Sequence, residues 1–238
     1  MEQIFGKNEQ DFDNGDQGSE HWISMSDLMS GLMMVFMLIS IAFMQYVEMQ
    51  RDTIKEVAVT YQNTQVALFE QLFDEFKGDL PLWDAEIDKD TLEFRFKAPE
   101  VLFATGKIDI QPRFAAILSD FFPRYLGVIK NFKDSISEIR IEGHTSSEWS
   151  FNSTATEAYF NNMELSQGRT RSVLQYVYAL PSIIKDQDWI KSKFAAVGFS
   201  SSHVILDEYG NENSETSKRV SFKVNTNAET QIRKILNN

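Results

Sequence analysis

Residues 28–44 read LMSGLMMVFMLISIAFM, with no charged side chain and nothing more polar than Ser30 and Ser40. Extended from Trp22 to Tyr46, the stretch can cross roughly 30 Å of hydrocarbon at about 1.5 Å of rise per residue. An aromatic at each edge suits the headgroup interface. A cleaved secretory signal would need a basic leader and a small-x-small site. Here the preceding stretch is acidic (Glu9, Asp11, Asp13, Asp16, Glu20) and no such site follows. The expectation is one transmembrane helix over 21–46 that stays in the mature protein. Lys7 precedes it, whereas Arg51 and Lys55 follow it, so positive-inside counting by itself favours the C-terminal side as cytoplasmic.

Outward from the span, the composition changes twice. Residues 1–20 are rich in Gly, Asn, Asp and Gln and read as a disordered tail. From residue 47 to about 76 the pattern is helical: Ile54, Val57, Tyr61, Leu68, Leu72 and Phe76 recur at spacings of three, four or seven. Such a stripe is a pairing or docking face, so 47–80 is expected to be a helical linker that dimerises. Gly78 and Pro81 end it.

Residues 81–226 alternate between strand and helix periods. Leu92, Phe94 and Phe96 alternate as a strand behind an Asp88-Lys89-Asp90 turn. Phe114, Ile117, Leu118, Phe121 and Phe122 form a helical stripe after Pro112, a residue suited to a first helical turn. Ile139 and Ile141 make a short strand ending at Gly143, and Leu165, Val173, Leu174 and Val177 give a helix that stops before Pro181. Two strands follow, one at Phe194 and Ala196 and one at Val220, Phe222 and Val224. The fold class is therefore α+β, a sandwich with helices on one face of a mixed sheet, and 227–238 is a C-terminal tail.

Composition excludes several functions. The 238 residues carry a net charge of −12, which opposes a nucleic-acid footprint. The chain has no Cys and only three scattered His, so thiolate or His-built metal sites are not expected. No Gly-rich phosphate loop or Gly-x-Ser-x-Gly elbow is present, so neither enzymatic activity nor a cofactor is expected. Asp27 is the residue with chemistry in the span, and two readings of it stand. A membrane-embedded acid marks a proton or ion path, and Ser30 and Gly31 on its face admit a second helix. Alternatively, Ser24-x-x-Asp27 fits a capping box, with Asp27 in the first helical turn.

Trp22, Ser26-Asp27-Leu28-Met29 and Met33-Met34-Val35-Phe36 resemble the N-terminal helix of MotB-type stator proteins. Val101-Leu102-Phe103 with Gly106, Ile141-Glu142-Gly143-His144-Thr145 and Asn162-x-x-Leu165-Ser166-x-x-Arg169 resemble the OmpA-like peptidoglycan-binding domain, as do Val173, Gly198 and Lys218-Arg219-Val220. The short chain and its acidic tail look most like the ZorB family of Zorya anti-phage systems, with flagellar MotB or a passive wall anchor as the alternatives.

The resemblance implies a homodimer inside a ring, a pentamer, of ZorA/MotA-like multi-span subunits, with Asp27 carrying protons. It places the N-terminus in the cytoplasm and the C-terminal domain in the periplasm of a bacterial inner-membrane protein, against the positive-inside count. It makes Thr145, Ser146, Asn162, Leu165 and Arg169 the peptidoglycan-binding residues, with Arg169 on a carboxylate of diaminopimelate. The family's Asp after Gly-His-Thr is Ser146 here, and Glu148 is the nearby acid that stands closest to replace it. Arg169 also has a plain structural reading, as a solvated helix arginine or a partner of Glu142. His144 is expected to fix its loop by hydrogen bonding.

Overall fold

A computed structural model describes residues 16–97 and 99–227 and divides the chain into two compact units, Met1–Lys55 and Glu56–Asn238. Residues 1–15 and 228–238, most of the two expected tails, lie outside the described residues. The elements in chain order are α1 (Asp16–Phe76), α2 (Leu80–Trp83), β1 (Ala85–Asp88), β2 (Glu93–Phe96), α3 (Pro99–Leu102) and α4 (Pro112–Lys130). There follow β3 (Ile136–His144), α5 (Ala155–Tyr178), α6 (Gln187–Lys193), β4 (Phe194–Ser200), α7 (Ser214–Ser217) and β5 (Arg219–Thr226).

In the first unit the chain is α1. An 18-residue stretch reaches a mean hydropathy of 2.0 with none of it buried, so the helix is long and apolar enough to cross a membrane. The described part of the helix starts at Asp16, inside the segment read as tail. Asp27 consequently lies deep in the helix and cannot cap it.

In the second unit five strands form one sheet in the order β1-β2-β5-β3-β4. All pairs are antiparallel except β3 with β4, which the α5 crossover joins in parallel. Strand β1 was not anticipated: Ala85 and Ile87 are its only apolar positions, too few for a period to show. Leu92 falls before β2 at a φ of 53° and closes the Asp88–Asp90 turn.

Alternate residues of the sheet (Phe94, Phe96, Ile139, Ile141, Val220, Phe222, Val224) belong to a buried core with the Phe114–Ile129 face of α4. Phe121 is its hub, with ring centroids at 4.6 Å from Phe94, 5.1 Å from Phe222 and 5.3 Å from Phe76. The expected core positions of α4 are all buried.

Three residues of the linker stripe have a partner that periodicity could not name. Leu68, Leu72 and Phe76 are fully buried within this same core. Arg124 of α4 locks them in place. Its guanidinium donates to Glu75 at 2.7 Å and to Asp79 at 2.9 Å, and lies 4.8 Å from the Phe76 ring centroid. The folded body thus begins well before residue 81.

Helix α5 approaches the sheet through small residues. Ser166 and Thr170 are fully buried, and a Cβ on Gly143 would meet Thr170 Cγ2 at 2.8 Å. A Cβ on Gly198 would collide with the backbone nitrogen of Gln167. Glycine at 143 and 198 is therefore what lets α5 lie against β3 and β4. Thr154 opens the helix with a capping box: it accepts from Glu157 N at 3.2 Å, and Glu157 accepts from Thr154 N at 2.9 Å.

Candidate functional site

Where β3 ends, α5 begins and the 103–110 loop turns, the chain leaves a cleft of about 280 Å³. All five residues singled out for wall binding, Thr145, Ser146, Asn162, Leu165 and Arg169, line it. Phe103, Thr105, Gly106, Glu148, Trp149 and Lys218 complete its walls. Asp27, the sixth candidate, is exposed on α1 in the other unit.

Arg169 projects from α5 and is pinned by the loop. Its Nε donates to Lys107 O at 3.0 Å and an Nη to Ala104 O at 3.3 Å, with the guanidinium carbon 5.0 Å from the Phe103 ring centroid. The turn that presents these carbonyls passes through Gly106 at a φ of 68°, a conformation glycine adopts without strain. Arg169 is half-buried and not paired with Glu142, and no carboxylate bridges it among the described residues. Burial pulls its guanidinium down to about 10, still protonated at neutral pH. A fixed, partly desolvated cation without a counter-ion is a receptor for a carboxylate.

Asn162 lines the cleft and also has a structural part. Its Nδ2 donates to the backbone oxygens of Ser146 at 3.1 Å and Glu148 at 3.0 Å, so this amide is spent on holding the 146–148 loop. The Thr145 hydroxyl is buried and has no hydrogen-bond partner in the fold. Glu148 carries the acidic group nearest to Ser146 in sequence, and its carboxylate accepts from Ser214 at 3.2 Å. The cleft therefore offers a cation at Arg169, a second at Lys218 and an anion at Glu148, a pattern suited to a ligand bearing both an ammonium and a carboxylate.

Behind the cleft, the sheet face opposite the core is charged. Arg95 binds Glu93 at 2.9 Å, Asp88 at 3.1 Å and Glu86 at 3.3 Å. Arg219 Nε stands 3.9 Å from Glu93, and His144 Nε2 is 3.5 Å from Glu142. Burial opposes ionisation of Glu93, but Arg95 and Ser221 outweigh it and hold the carboxyl below its ordinary range. Burial pulls His144 below its ordinary value, partly offset by Glu142, so the ring is neutral. His144 stacks on Phe199 at 5.2 Å, so ring contact, in place of the expected hydrogen bonding, positions it. Glu93, Glu142 and His144 bring ligand-type atoms within 4.8 Å of one another, yet Arg95 and Arg219 already supply the positive charge there. This network anchors the strand ends from which Thr145, Ser146 and Lys218 enter the cleft.

The chain is 58% identical to Zorya protein ZorB of Escherichia coli (strain ATCC 8739) over 236 residues, 99% of each chain. It belongs to the ZorB family. No family model matches the chain. Among solved structures, a MotB-like protein from Desulfovibrio vulgaris superposes with a TM-score of 0.48 at 21% identity, covering 74% of this chain and 94% of that one. The cell-wall anchor of the type VI secretion system from Pseudomonas aeruginosa gives 0.46 at 18% identity, covering 65% and 96%. Membership in the ZorB family agrees with the resemblance carried by the Asp27 helix and by the Gly-His-Thr and Asn-x-x-Leu-Ser-x-x-Arg motifs.

Motif reading located the cleft but missed Trp149. It sits in a loop, SSEWSFN, where its one apolar neighbour at a regular spacing is Phe151, two residues on, too little to mark a strand.

Proposed function

We propose that this ZorB-family chain is the stator-type subunit of a Zorya anti-phage motor, driven by protons and anchored to peptidoglycan. In this reading two copies sit inside a ring of five ZorA/MotA-like multi-span subunits, with the N-terminus in the cytoplasm and the sheet domain in the periplasm. The observation that carries it is the likeness to Zorya protein ZorB along 99% of both chains, span and wall domain together.

Asp27 is the moving part. An acid inside an apolar helix is costly when charged, so it alternates between a neutral and an ionised form as partner groups come and go. Gly31 has nothing within 4 Å of an added Cβ, which leaves that face open to a neighbouring helix. Nothing in the span offers a separate sodium site, and the proton is the ion in this reading. At the other end, the Arg169 guanidinium takes a carboxylate of the stem-peptide diaminopimelate. Glu148 takes its ammonium group in place of the acid that the family carries at Ser146.

Asp27→Asn keeps shape and hydrogen bonding but removes the titratable group. Reconstituted with its multi-span partner, the variant should lose proton flux and phage protection while the complex keeps its size. An Asp27→Asn complex that still conducts protons and protects cells would end the motor reading.

A further inference from the structure

The cleft around Arg169 continues past its own wall. Gly106, Leu165 and Trp149 line it and also line a second cleft of about 470 Å³ that Asn161, Glu164 and Arg171 border. Trp149 stands at the junction. It is 43% exposed, and its indole makes no ring contact or hydrogen bond with any described residue. Asn161, Glu164 and Arg171 likewise make no hydrogen bond or ion pair with other described side chains, so their polar ends are available.

We propose that this second cleft binds the N-acetylated sugar backbone of peptidoglycan, with Trp149 as the stacking platform. This rests on the stem-peptide reading of the first cleft. A pyranose ring presents a face of C–H groups and a rim of hydroxyl and acetamido groups. The open indole face matches the first, and the amide, carboxylate and guanidinium of Asn161, Glu164 and Arg171 match the second. Covalent continuity selects the occupant. Two amino acids separate diaminopimelate from the lactyl group on the sugar, a span of about 7 Å in extended chain. A ligand held by Arg169 thus delivers its sugar to an adjoining site and not to a distant one. The loop that carries Trp149 is held in place by Asn162, which ties the sugar platform to the peptide site.

Two soluble probes separate the sites: a diaminopimelate-containing tripeptide, and the disaccharide-tripeptide carrying the same peptide. With full-length protein in detergent, calorimetry should find the disaccharide-tripeptide bound about three- to tenfold more tightly than the tripeptide. Arg171→Ala, in the second cleft alone, should reduce that difference and leave tripeptide affinity unchanged, which also reports an intact fold. Trp149→Ala, whose side chain walls both clefts, should weaken the disaccharide-tripeptide more than the tripeptide, and Trp149→Phe should restore part of that loss. Arg169→Ala should weaken both probes. Equal binding of the two probes by the parent overturns the sugar site and leaves the stem-peptide reading standing. So does an equal loss on both in Trp149→Ala. Failure of the parent to bind the tripeptide overturns the stem-peptide reading, and the sugar site with it.

Discussion

The helix from Met25 to Tyr46 and the body beyond Glu56 use the same kinds of apolar residue and treat them in opposite ways. Leu28, Phe36 and Met44 are 75%, 70% and 70% exposed, whereas Phe94, Phe121 and Phe222 are fully buried. A helix apolar on every side is stable only where lipid or partner helices cover it. The domain supplies its own cover, down to the Leu68–Phe76 end of α1. One chain thus holds a part completed by its surroundings and a part complete in itself.

The sharpest way to break this contrast is charge. Leu72→Lys places an unpaired ammonium in a fully buried position and should cost the domain at least about 4 kcal/mol. Thermal unfolding followed by tryptophan fluorescence checks it. A change confined to dimer crosslinking, with the melt unmoved, would return Leu72 to a dimer seam. The earlier stripe residues Ile54, Val57 and Tyr61 stay outside the buried core.

Next in size is truncation of the aromatic hub. Phe121→Ala should destabilise the domain by about 3–5 kcal/mol, while Phe36→Ala in the span should leave the domain melt unchanged. Equal shifts from both would mean that the two units unfold together.

Acid comes third and is read in the stability of the domain. His144 is neutral in the fold, its value lying below 6.5, so the unfolded chain binds more protons just under that pH. Stability should therefore fall as pH drops from 6.5 toward the folded value of His144. Below 4.5 the loss continues as Glu93 gives up its ion pair with Arg95. Urea midpoints from pH 7.5 to 4 would show the slope, and His144→Phe should flatten its upper part. A pH-independent midpoint in the parent would remove His144 from the account.

The smallest effect is local. Thr154→Ala deletes the α5 capping box and should cost about 1 kcal/mol, readable as a shift in the same urea midpoint.

Much of this was legible from the residues in order. Hydropathy alone locates the Leu28–Met44 span, because crossing hydrocarbon needs only length and the absence of charge. The period of Phe114 to Phe122 gives α4, and the Gly-His-Thr and Asn-x-x-Leu-Ser-x-x-Arg patterns mark Thr145, Asn162, Leu165 and Arg169, which line one cleft. What those residues do there was less readable. Asn162 holds a loop and Arg169 leans on two carbonyls, facts that depend on where the chain returns in space.

By itself, then, the sequence determined which faces are apolar, where the membrane-spanning length lies and which side chains carry charge in the cleft. The tertiary structure alone decided who covers each face. Leu68, Leu72 and Phe76 show the same stripe that a coiled coil would show, since periodicity records a face and not its partner. The burial of Glu93, Arg95, His144 and Arg219 on the outer sheet face likewise follows from strands far apart in sequence being brought into register. So does the position of Trp149 between two clefts, because an irregular loop has no period from which to predict its direction.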